Sequence, residues 1–527
     1  MTRVGIVLLT LVIALGAVVA AVAVSPFWWF AAVPLALVGA TAARDLLQRR
    51  HSVLRNYPFL GHARFLLERI RPELQQYFIE RNYDGRPFDR DVRSIVYERA
   101  KGTDAEEPFG TERDVYRTGH EFLVPSMAPC PVPRTPPRVR IGGPDCARPY
   151  DMALLNVSAM SFGSLSSNAV LALNGGAAAG GFAQDTGEGG LSEYHLRPGG
   201  DLIWEIGTGY FGCRTDEGGF DAAEFADKSA HDHVKCVSLK LSQGAKPGIG
   251  GVLPGAKVNA EIARVRDVPP GRTVISPPYH QVFSTPRELV RFIARMRELS
   301  GGKPAGFKLC VGSRAQFLAV CKAMLEEGTA PDFIVVDGAE GGTGAAPLEF
   351  ADHMGTPLTE GLLTVHNALV GAGLRDRVKI GASGKIATGA DLVKRMVQGA
   401  DYGNAARAMM FAVGCIQAQK CHTNTCPTGV TTQDPHRARA LDVDDKTLRV
   451  QRFQDATVAG ALQLMASMGV TDPAQLRPRM LRRRIDPFTE RSYAELYEWL
   501  EPGQLLVEPP ASWAADWKTA DPDRFTV

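Results

Sequence analysis

Between residues 151 and about 430, short strand-like runs alternate with helix-like stretches, and this alternation limits the possible folds more than any other property of the chain. Apolar, β-branched runs end in glycine-rich turns and are followed by amphipathic segments. Such alternation is typical of parallel sheets, and eight repeats predict an α/β protein with a closed (β/α)8 barrel. A doubly wound open sheet is the alternative, but the Gly-x-Gly-x-x-Gly expected after its first strand is absent from the sequence. The predicted strands are 154–159, 181–185, 236–241, 273–276, 306–310, 333–336, 378–381 and 400–403.

The first 50 residues are far more apolar than the rest. The run 4–24 is interrupted by Thr10 and has the ~20 residues that cross a bilayer as a helix. A second apolar run, 27–43, contains a Trp28–Trp29 pair suited to the membrane interface. Arg3 precedes the first run and arginines follow the second, so the positive-inside rule places both ends in the cytoplasm. We predict a two-helix transmembrane hairpin over 1–50 in a multi-pass inner-membrane protein with a cytoplasmic catalytic domain; a cleaved signal peptide is the alternative.

Two segments flank the predicted barrel, and the first, residues 51–150, carries no catalytic signal. Residues 51–150 include a Pro-rich stretch, 125–137, and are expected to wrap the barrel, which occupies 151–435. Residues 436–527 are predicted to form a helical C-terminal extension. The arginines of 477–484 are interpreted as a solvated face, with a docking patch for membrane phosphates or an electron donor as the alternative. With 59 Lys+Arg against 57 Asp+Glu, no nucleic-acid partner is expected.

Three cysteines, Cys415, Cys421 and Cys426, fall within twelve residues and are followed by Pro427 and Gly429. The chain has nine cysteines, an odd number that argues against a disulfide framework and for a reducing compartment. Thiolates close together prefer zinc or iron–sulfur clusters to hard cations. The cysteines are therefore predicted metal ligands; buried or free thiols are the alternative.

The loops after barrel strands carry function. Glycine turns and helix starts after strands seven and eight are predicted to bind phosphate through backbone N–H groups. The glycine-rich loop after strand six can lie along a flat ring, and Lys308 at the end of strand five can place a positive charge beside the pyrimidine end of a flavin. These features favour FMN, with a phosphorylated sugar or nucleotide substrate as the alternative. The predicted cofactor-binding residues are Ser158, Met160, Ser161, Gln243, Lys308, Asp337, Gly341, Gly342, Thr343, Gly344, Gly384, Gly403 and Asn404.

A second group of charged residues follows the predicted strands. Lys240 and Lys246, with Glu188 and with Arg266 downstream, predict a cationic pocket for a dicarboxylate. For each lysine taken singly, a solvent-facing side chain is the alternative. These four are the candidate catalytic residues.

Five ordered motifs resemble the flavin-containing synthase domain of glutamate synthase. The resemblance covers 151 to about 435 and implies a TIM barrel with FMN beside a 3Fe-4S cluster, whose ligands would be the three cysteines. It implies that electrons pass through the cluster to FMN and reduce an imino acid formed from 2-oxoglutarate and ammonia. The motifs are Thr-Gly-Glu-Gly-Gly ending at Gly190, Gln-Gly-Ala-Lys-Pro-Gly from Gln243, Ile-Ser-Pro-Pro from Ile275, the glycine-rich run 337–347 and the cysteine loop.

The chain also departs from the family pattern. It begins with the apolar segment where a full glutamate synthase has a glutaminase domain, so we expect no glutamine hydrolysis. The family turn Lys-Pro-Gly-Glu-Gly-Gly-Gln reads here with Ile249 and Val252, and the family glutamine contributes to 2-oxoglutarate binding. Tyr210 replaces the arginine usual before Phe-Gly. Loss of a polar partner costs a buried carboxylate ~1–3 kcal/mol, so the resemblance implies the cofactors more firmly than the substrate.

Three functions follow. The leading hypothesis is reduction of a 2-oxo acid imine to an amino acid by a membrane-tethered enzyme that takes electrons from a ferredoxin-like donor. Lys240, Lys246 and Arg266 would hold carboxylates, and Glu188 would orient substrate or relay protons. The second is an FMN-dependent dehydrogenase that oxidises an amino or hydroxy acid and passes electrons to membrane quinone. The third is a non-catalytic redox partner.

Overall fold

The computed structural model describes residues 3–103, 106 and 108–525, without the side chains of Arg3 and Ile6. The ends of the predicted hairpin and extension, 1–2 and 526–527, and residues 104, 105 and 107 of the predicted connecting region lie outside the described residues, as does the side chain of Arg3 used for the predicted orientation. The chain divides into two compact units, one ending at Arg90 and the other beginning at Asp91.

In the first unit, helices Arg3–Ala23 and Trp29–Leu47 are joined by the 3-10 turn Pro26–Trp28 and pack through Ala17, Ala21 and Ala32. Small residues let two helices approach closely. Among the described residues, one helix, Pro26–Leu47, is long and apolar enough to cross a membrane, and the apolar helix Val7–Ala23 is shorter. The two-helix transmembrane hairpin therefore stays a prediction. The unit continues through the helices Ser52–Asn56 and Gly61–Leu74 and the π-type turn Gln75–Ile79.

The second unit contains a closed barrel of eight parallel strands, which confirms the predicted α/β barrel. Seven strands coincide with predicted strands. The prediction at 273–276 is wrong, because Val274–Ile275 pairs antiparallel with Val252–Leu253 outside the barrel. The strands are β1 (Leu155–Val157), β2 (Ala183–Asp185), β3 (Asp201–Ile206), β4 (Val234–Lys240), β5 (Ala305–Leu309), β6 (Phe333–Asp337), β7 (Lys379–Ser383) and β8 (Tyr402–Ala405).

The sequence analysis missed β3. It contains Asp201 and Glu205, which interrupt the apolar pattern by which buried parallel strands are recognised. In the barrel β3 pairs with β2 and β4 and is almost wholly buried. The strand was not predicted because these two charged residues break its apolar pattern.

Helices cover the outside of the barrel. Pro286–Leu299 shows how the sequence specifies one: Thr285 and Glu288 form a capping box, proline occupies the first turn, and Leu289, Ile293 and Met296 are buried on one side. The other helices between the strands or directly after β8 are Ser167–Gly180, Glu193–Leu196, Ala222–Ser229, Ala260–Arg266, Arg314–Glu327, Leu348–His353, Leu358–Gly371, Gly389–Val397 and Arg407–Ala412.

The barrel interior has an apolar lower layer and a polar upper layer. Ala183, Ile203, Cys236, Val335 and Tyr402 belong to one buried cluster. The hairpin of strands Val139–Ile141 and Tyr150–Met152 contributes Ile141 and Met152 to that cluster. Residues two positions further along a strand point the same way. The upper layer, nearer the carboxyl ends of the strands, is accordingly formed by Asp185, Glu205, Ser238, Asp337 and Asn404.

The remainder of the second unit packs around the barrel. The helix Val443–Ser467 packs against the helices Ser167–Gly180 and Gly389–Val397. Strand Glu121–Leu123 pairs with Leu481–Arg484, which pairs with Glu490–Ser492, so the predicted helical extension also contains two strands. Within it, Arg482 forms an ion pair with Glu490 at 2.9 Å. Further helices are Arg90–Lys101, Pro435–Ala438, Tyr493–Leu496, Gln504–Val507 and Ala511–Thr519.

Candidate active site

An ion pair lies at the carboxyl end of β4. Lys240 Nζ donates to Glu188 Oε1 and to Gln243 Oε1, each at 2.8 Å. Gln243 Nε2 donates in turn to Thr343 Oγ1 at 3.2 Å. Burial raises the pKa of Glu188, but Lys240 and Arg266 more than offset this and the pKa is lowered overall. The structure therefore brings four sequence-predicted residues into one hydrogen-bonded group with Glu188 ionised.

Two further predicted cations face this group. Lys246 is 3% exposed, and its backbone N–H donates to the Gln243 carbonyl at 3.3 Å, yet within the described part of the chain its Nζ has no hydrogen bond and no ion pair. Burial and the neighbouring Lys240 lower its pKa, against the attraction of Glu188. Arg266 is buried, and its Nη2 donates to the Phe162 carbonyl at 2.8 Å. Burial lowers the pKa of Arg266 to about 10, against the attraction of Glu188. Three cations around one carboxylate leave excess positive charge for an anionic ligand.

The turn that contains the departures from the family pattern lies over Glu188. An added Cβ at Gly251 would collide with the Glu188 carboxylate. Val252 follows directly, is 41% exposed, and pairs across the small sheet with Ile275, which is 71% exposed. Two exposed apolar side chains thus lie beside Glu188 and the cations around it.

Tyr210, the other departure, supports the end of β4. Its hydroxyl accepts from Gln281 N at 3.0 Å and lies 3.1 Å from His280 Nδ1. His280 Nε2 lies 2.9 Å from the Lys240 carbonyl, which only accepts, so Nε2 carries the proton and Nδ1 accepts from Tyr210. Burial lowers the pKa of His280 to about 4, which keeps the ring neutral. The sequence analysis did not find His280, since the chain brings it to β4 only through the fold.

Lys308 lies in the upper layer, where its Nζ forms an ion pair with Glu205 Oε2. Burial lowers the pKa of Lys308, but Glu205, Asp185 and Asp337 outweigh it and raise that pKa. Glu205 and Asp185 were not among the predicted site residues. The signal available in the sequence was a carboxylate within or at the end of an otherwise buried strand.

Most of the predicted FMN residues fall into three groups. Met160 and Ser161 contact the Thr186–Gly190 loop so closely that a Cβ on Gly187 would lie 2.6 Å from Ser161 N. Ser158 Oγ lies 3.1 Å from Ser383 Oγ, which joins the ends of β1 and β7 beside Gly384. Asp337 Oδ2 accepts from Gly244 N at 2.8 Å and holds the turn after β4 against the loop 338–344, which contains Gly341, Gly342, Thr343 and Gly344.

Asn404 and Gly403 differ in what they face. Asn404 is buried, and within the described residues neither its Nδ2 nor its Oδ1 has a hydrogen-bond partner. A buried amide without partners at a barrel mouth fits a ligand that both accepts and donates, as a flavin does. Gly403 lies under helix side chains, because a Cβ there would be 2.7 Å from Leu392 Cδ1. We also find Arg407, which lies over Gly342 and donates to the Glu340 carbonyl at 2.7 Å.

The cysteine loop is shaped by residues with left-handed backbone conformation. Gln417, Gln419 and Asn424 have φ of 57°, 54° and 62°. Asn424 Oδ1 accepts from Gln433 N at 2.7 Å, which ties the loop to the following segment. Non-glycine residues rarely adopt positive φ, so three in one loop indicate a conformation maintained by its surroundings.

The three thiols influence one another. Burial and the charges of the other two cysteines raise the pKa of Cys415 to about 12, against a hydrogen bond from Gln417 N. Burial raises the pKa of Cys426, but hydrogen bonds from Thr431 and Thr428 outweigh it and lower the value to about 7. No set of three or more His, Cys, Asp or Glu side chains in the described ranges converges on one ion-sized position. Three thiols in one loop are soft donors of the kind that iron–sulfur clusters take.

The chain is similar in sequence to known proteins over most of its length. The family model described as the conserved region in glutamate synthase matches residues 149–471. The glutamate synthase large subunit-like protein YerD of Bacillus subtilis (strain 168) is 39% identical over 483 residues, which cover 84% of this chain and 91% of the relative.

Two further relatives align over shorter spans. The archaeal glutamate synthase (NADPH) of Methanocaldococcus jannaschii is 34% identical over 62% of this chain and 61% of its own length. The ferredoxin-dependent glutamate synthase of Antithamnion sp. is 38% identical over 38% of this chain and 13% of its own length. The chain thus spans less than two thirds of these two relatives. A family model that matches most of the chain and a relative aligned over nearly its whole length place this protein in the glutamate synthase family.

Proposed function

We propose that this protein is a glutamate synthase-type oxidoreductase that reduces the imine of a 2-oxo acid, formed with ammonia or an amine, to an amino acid. The observation that carries the proposal is the buried Lys246 side chain, whose Nζ has no hydrogen bond or ion pair within the described residues and lies beside the Lys240–Glu188 pair. Burying such a cation is costly unless a ligand completes the site. An acid substrate provides the missing partner, and 2-oxoglutarate is the proposed 2-oxo acid.

The substrate would be held by charge. Lys246 and Arg266 offer donors to carboxylate oxygens, while Lys240 is already shared between Glu188 and Gln243. Hydrogen bonds to charged groups contribute ~1.5–3 kcal/mol each, so two cations suffice for selective binding of an acid. Glu188, ionised and fixed by Lys240, orients the substrate or accepts and returns a proton.

FMN is the proposed cofactor, and bound there it would supply hydride transfer. Asn404, with Ser158, Ser383 and the turn at Gly384, would hold it at the ends of β1, β7 and β8. Met160, Ser161, Gln243, Asp337 and the loop from Gly341 to Gly344 complete the proposed set. Lys308 supplies positive charge from below, and its ion pair with Glu205 fixes the position of that charge.

A 3Fe-4S cluster is the proposed second cofactor, held by Cys415, Cys421 and Cys426, and it would supply one-electron transfer. We propose a ferredoxin-type donor. One relative is named as ferredoxin-dependent and another as NADPH-dependent, so the donor class is open to direct measurement.

We also propose that the protein is attached to the inner membrane by a two-helix hairpin over 1–50, with the catalytic domain in the cytoplasm. The helix Pro26–Leu47 supports this by length and composition. The proposed organisation continues with a connecting region over 51–150, the barrel with its cysteine loop over 151–435, and an extension over 436–527.

The cofactors are tested first. We would record the visible spectrum and iron content of detergent-purified protein beside Cys421→Ala, with Cys130→Ser, a cysteine outside the loop, as control. We expect flavin bands in all three proteins and about three irons in the wild type and control, strongly reduced in Cys421→Ala. Flavin with no iron in the wild type would contradict the cluster, and no flavin would contradict the enzyme.

Activity is then tested with protein that contains both cofactors. Chemically reduced ferredoxin, 2-oxoglutarate and ¹⁵N-ammonia are expected to yield ¹⁵N-glutamate detectable by NMR. Absence of any labelled amino acid, with other 2-oxo acids and with methylamine included, would refute the proposed reaction.

A further inference from the structure

Three ionisable side chains share the upper layer of the barrel interior. Asp185, Glu205 and Lys308 are 2%, 1% and 5% exposed and come from β2, β3 and β5. Lys308 forms an ion pair with Glu205 and also attracts Asp185. One ammonium cannot neutralise two carboxylates, so the set carries a net negative charge unless one carboxyl group keeps a proton. A dry interior strongly disfavours that negative charge.

The two carboxyl groups are held differently. Glu205 is the direct ionic partner of Lys308. Asp185 Oδ1 accepts one backbone hydrogen bond, from Gly187 N at 2.9 Å. The group with the cation beside it is the one that stays ionised, because opposite charge favours the charged form.

The other groups that face Asp185 do not neutralise it. On β4, Lys240 is already bound to Glu188 and Gln243, and Cys236 has a pKa raised well above its ordinary value by burial. On β6, Asp337 adds negative charge near Lys308. On β8, burial and Cys236 raise the pKa of Tyr402 well above its ordinary value, so the phenol is neutral. Ser238 Oγ and Tyr402 Oη are buried and, within the described residues, have no hydrogen-bond partner.

We propose that Asp185, Glu205 and Lys308 form a proton-storing site inside the barrel, in which Asp185 holds the proton and Glu205 remains ionised against Lys308. On release, the Asp185 O–H bond breaks, the proton passes to a basic group or water at the barrel mouth, and Lys308 is shared by two carboxylates. The proton is regained from solvent. Burial and the charge of Glu205 raise the pKa of Asp185 to about 8, against the attraction of Lys308, so the exchange falls near neutral pH.

The site lies directly below the proposed active site. Asp185 begins the turn that carries Glu188 and holds it through Gly187 N. The inference goes beyond the proposed function, since it concerns the protonation of the chain's own side chains and needs no turnover.

The test is infrared spectroscopy of the detergent-purified, cofactor-loaded full chain, unlabelled and with ¹³C in the aspartate side-chain carboxyl. At pH 6 we expect a protonated carboxylic acid band that moves to lower frequency with the label, disappears by about pH 10, and is missing from Asp185→Asn. Asp201→Asn, a control on β3 whose side chain is half-buried, should retain it. In Glu205→Gln, Lys308 becomes available to Asp185, which ionises, so the band should also be lost.

A band that does not move with the aspartate label would place the proton on Glu205 and overturn the assignment. Absence of any such band at pH 6 in the wild type would overturn the storage site itself. If Asp185→Asn does not fold, the labelled wild type still shows whether an aspartate holds the proton, and loss of the band in Glu205→Gln still shows that this aspartate lies beside the Glu205–Lys308 pair.

Thermal stability gives an independent readout. With a raised folded-state pKa, the folded protein binds more protons than the unfolded one between the ordinary value of 3.8 and about 8, so this group's contribution to stability falls as pH rises. The Asp185→Asn variant lacks the titrating carboxyl group, so its stability does not fall with pH for this reason. The melting temperature of Asp185→Asn minus that of the wild type should therefore increase from pH 5 to pH 9, whereas Asp201→Asn should show no such trend. A difference independent of pH would refute the proposal.

Discussion

The lower and upper layers of the barrel interior are built by the same strands, two residues apart, yet they are chemically opposite. Below, Ala183, Ile203 and Cys236 form part of an apolar cluster. Above, Asp185 and Glu205 occupy the next inward positions on the strands of Ala183 and Ile203. Apolar packing needs no defined protonation state, whereas the polar layer is stable only with its charges matched. The lower layer therefore stabilises the barrel by apolar packing, and the upper layer places charged side chains inside it.

The largest effect is expected in the upper layer. Lys308→Met leaves Glu205 and Asp185 without their cation and should reduce the free energy of unfolding by about 3–5 kcal/mol at pH 8. At pH 5 the loss should be smaller, because the carboxyl groups then take up protons. Urea unfolding followed by the fluorescence of the buried Trp204 measures both values. Lys308→Arg, which keeps the charge, is the control. An equal loss of unfolding free energy at both pH values in Lys308→Met would show that the upper layer, like the lower one, does not depend on protonation.

In the lower layer, Ile203→Ala should cost about 3 kcal/mol through the cavity it leaves. The loss should be the same at pH 5 and pH 8, since no titratable group gains or loses a partner. The same urea series measures it, and Ile203→Val, at about 1 kcal/mol, is the conservative control. A strong pH dependence would show that the two layers are energetically coupled.

At the mouth, Lys246→Met should raise the KM for the acid substrate about 10-fold to 100-fold, because it removes one charge-assisted hydrogen bond worth ~1.5–3 kcal/mol. The urea midpoint should stay the same or rise, since a buried cation is removed. Steady-state kinetics measure the KM, and urea unfolding measures the midpoint. Lys235→Met, at the opposite end of β4, is the control. An unchanged KM would remove Lys246 from the binding site.

The smallest effect concerns the exposed apolar pair beside the mouth. Val252→Gln should change stability by less than about 0.5 kcal/mol, as surface substitutions do. One added hydrogen bond of ~1 kcal/mol should improve KM for a dicarboxylic over a monocarboxylic 2-oxo acid about fivefold. Ile275→Gln, its cross-strand partner, should leave that ratio unchanged. If both variants behave alike, Val252 does not contact the substrate.

The sequence analysis succeeded where one segment contains the whole signal. The ordered motifs at Glu188, Gln243 and Asp337 lie at the ends of strands that were predicted in place, and the structure joins Glu188 to Gln243 through Lys240. It failed where the signal is divided between segments. Val274–Ile275 has the composition of a strand, but its pairing with Val252–Leu253 excludes it from the barrel.

Residues without a local motif were also missed. Asp185, Glu205 and His280 acquire their roles from partners on other strands and loops. Gly403 was predicted from its position at the end of a strand; an added Cβ there would meet Leu392, and the contact of its backbone with a cofactor stays a prediction. Whether a glycine faces a ligand or a helix depends on which side of the strand is covered, and neighbouring sequence does not reveal that.

The sequence by itself determined the barrel class, the family and the order of the charged motifs, because alternation of strands and helices and local turn chemistry are encoded within short segments. Only the tertiary structure decided which strands close the barrel, that the Lys246 ammonium has no hydrogen-bond or ion-pair partner among the described residues, and that Lys308 faces two carboxyl groups. The physical reason is that burial and charge pairing are properties of groups brought together from distant segments. The energies of burial and charge pairing therefore depend on which segments the fold brings into contact.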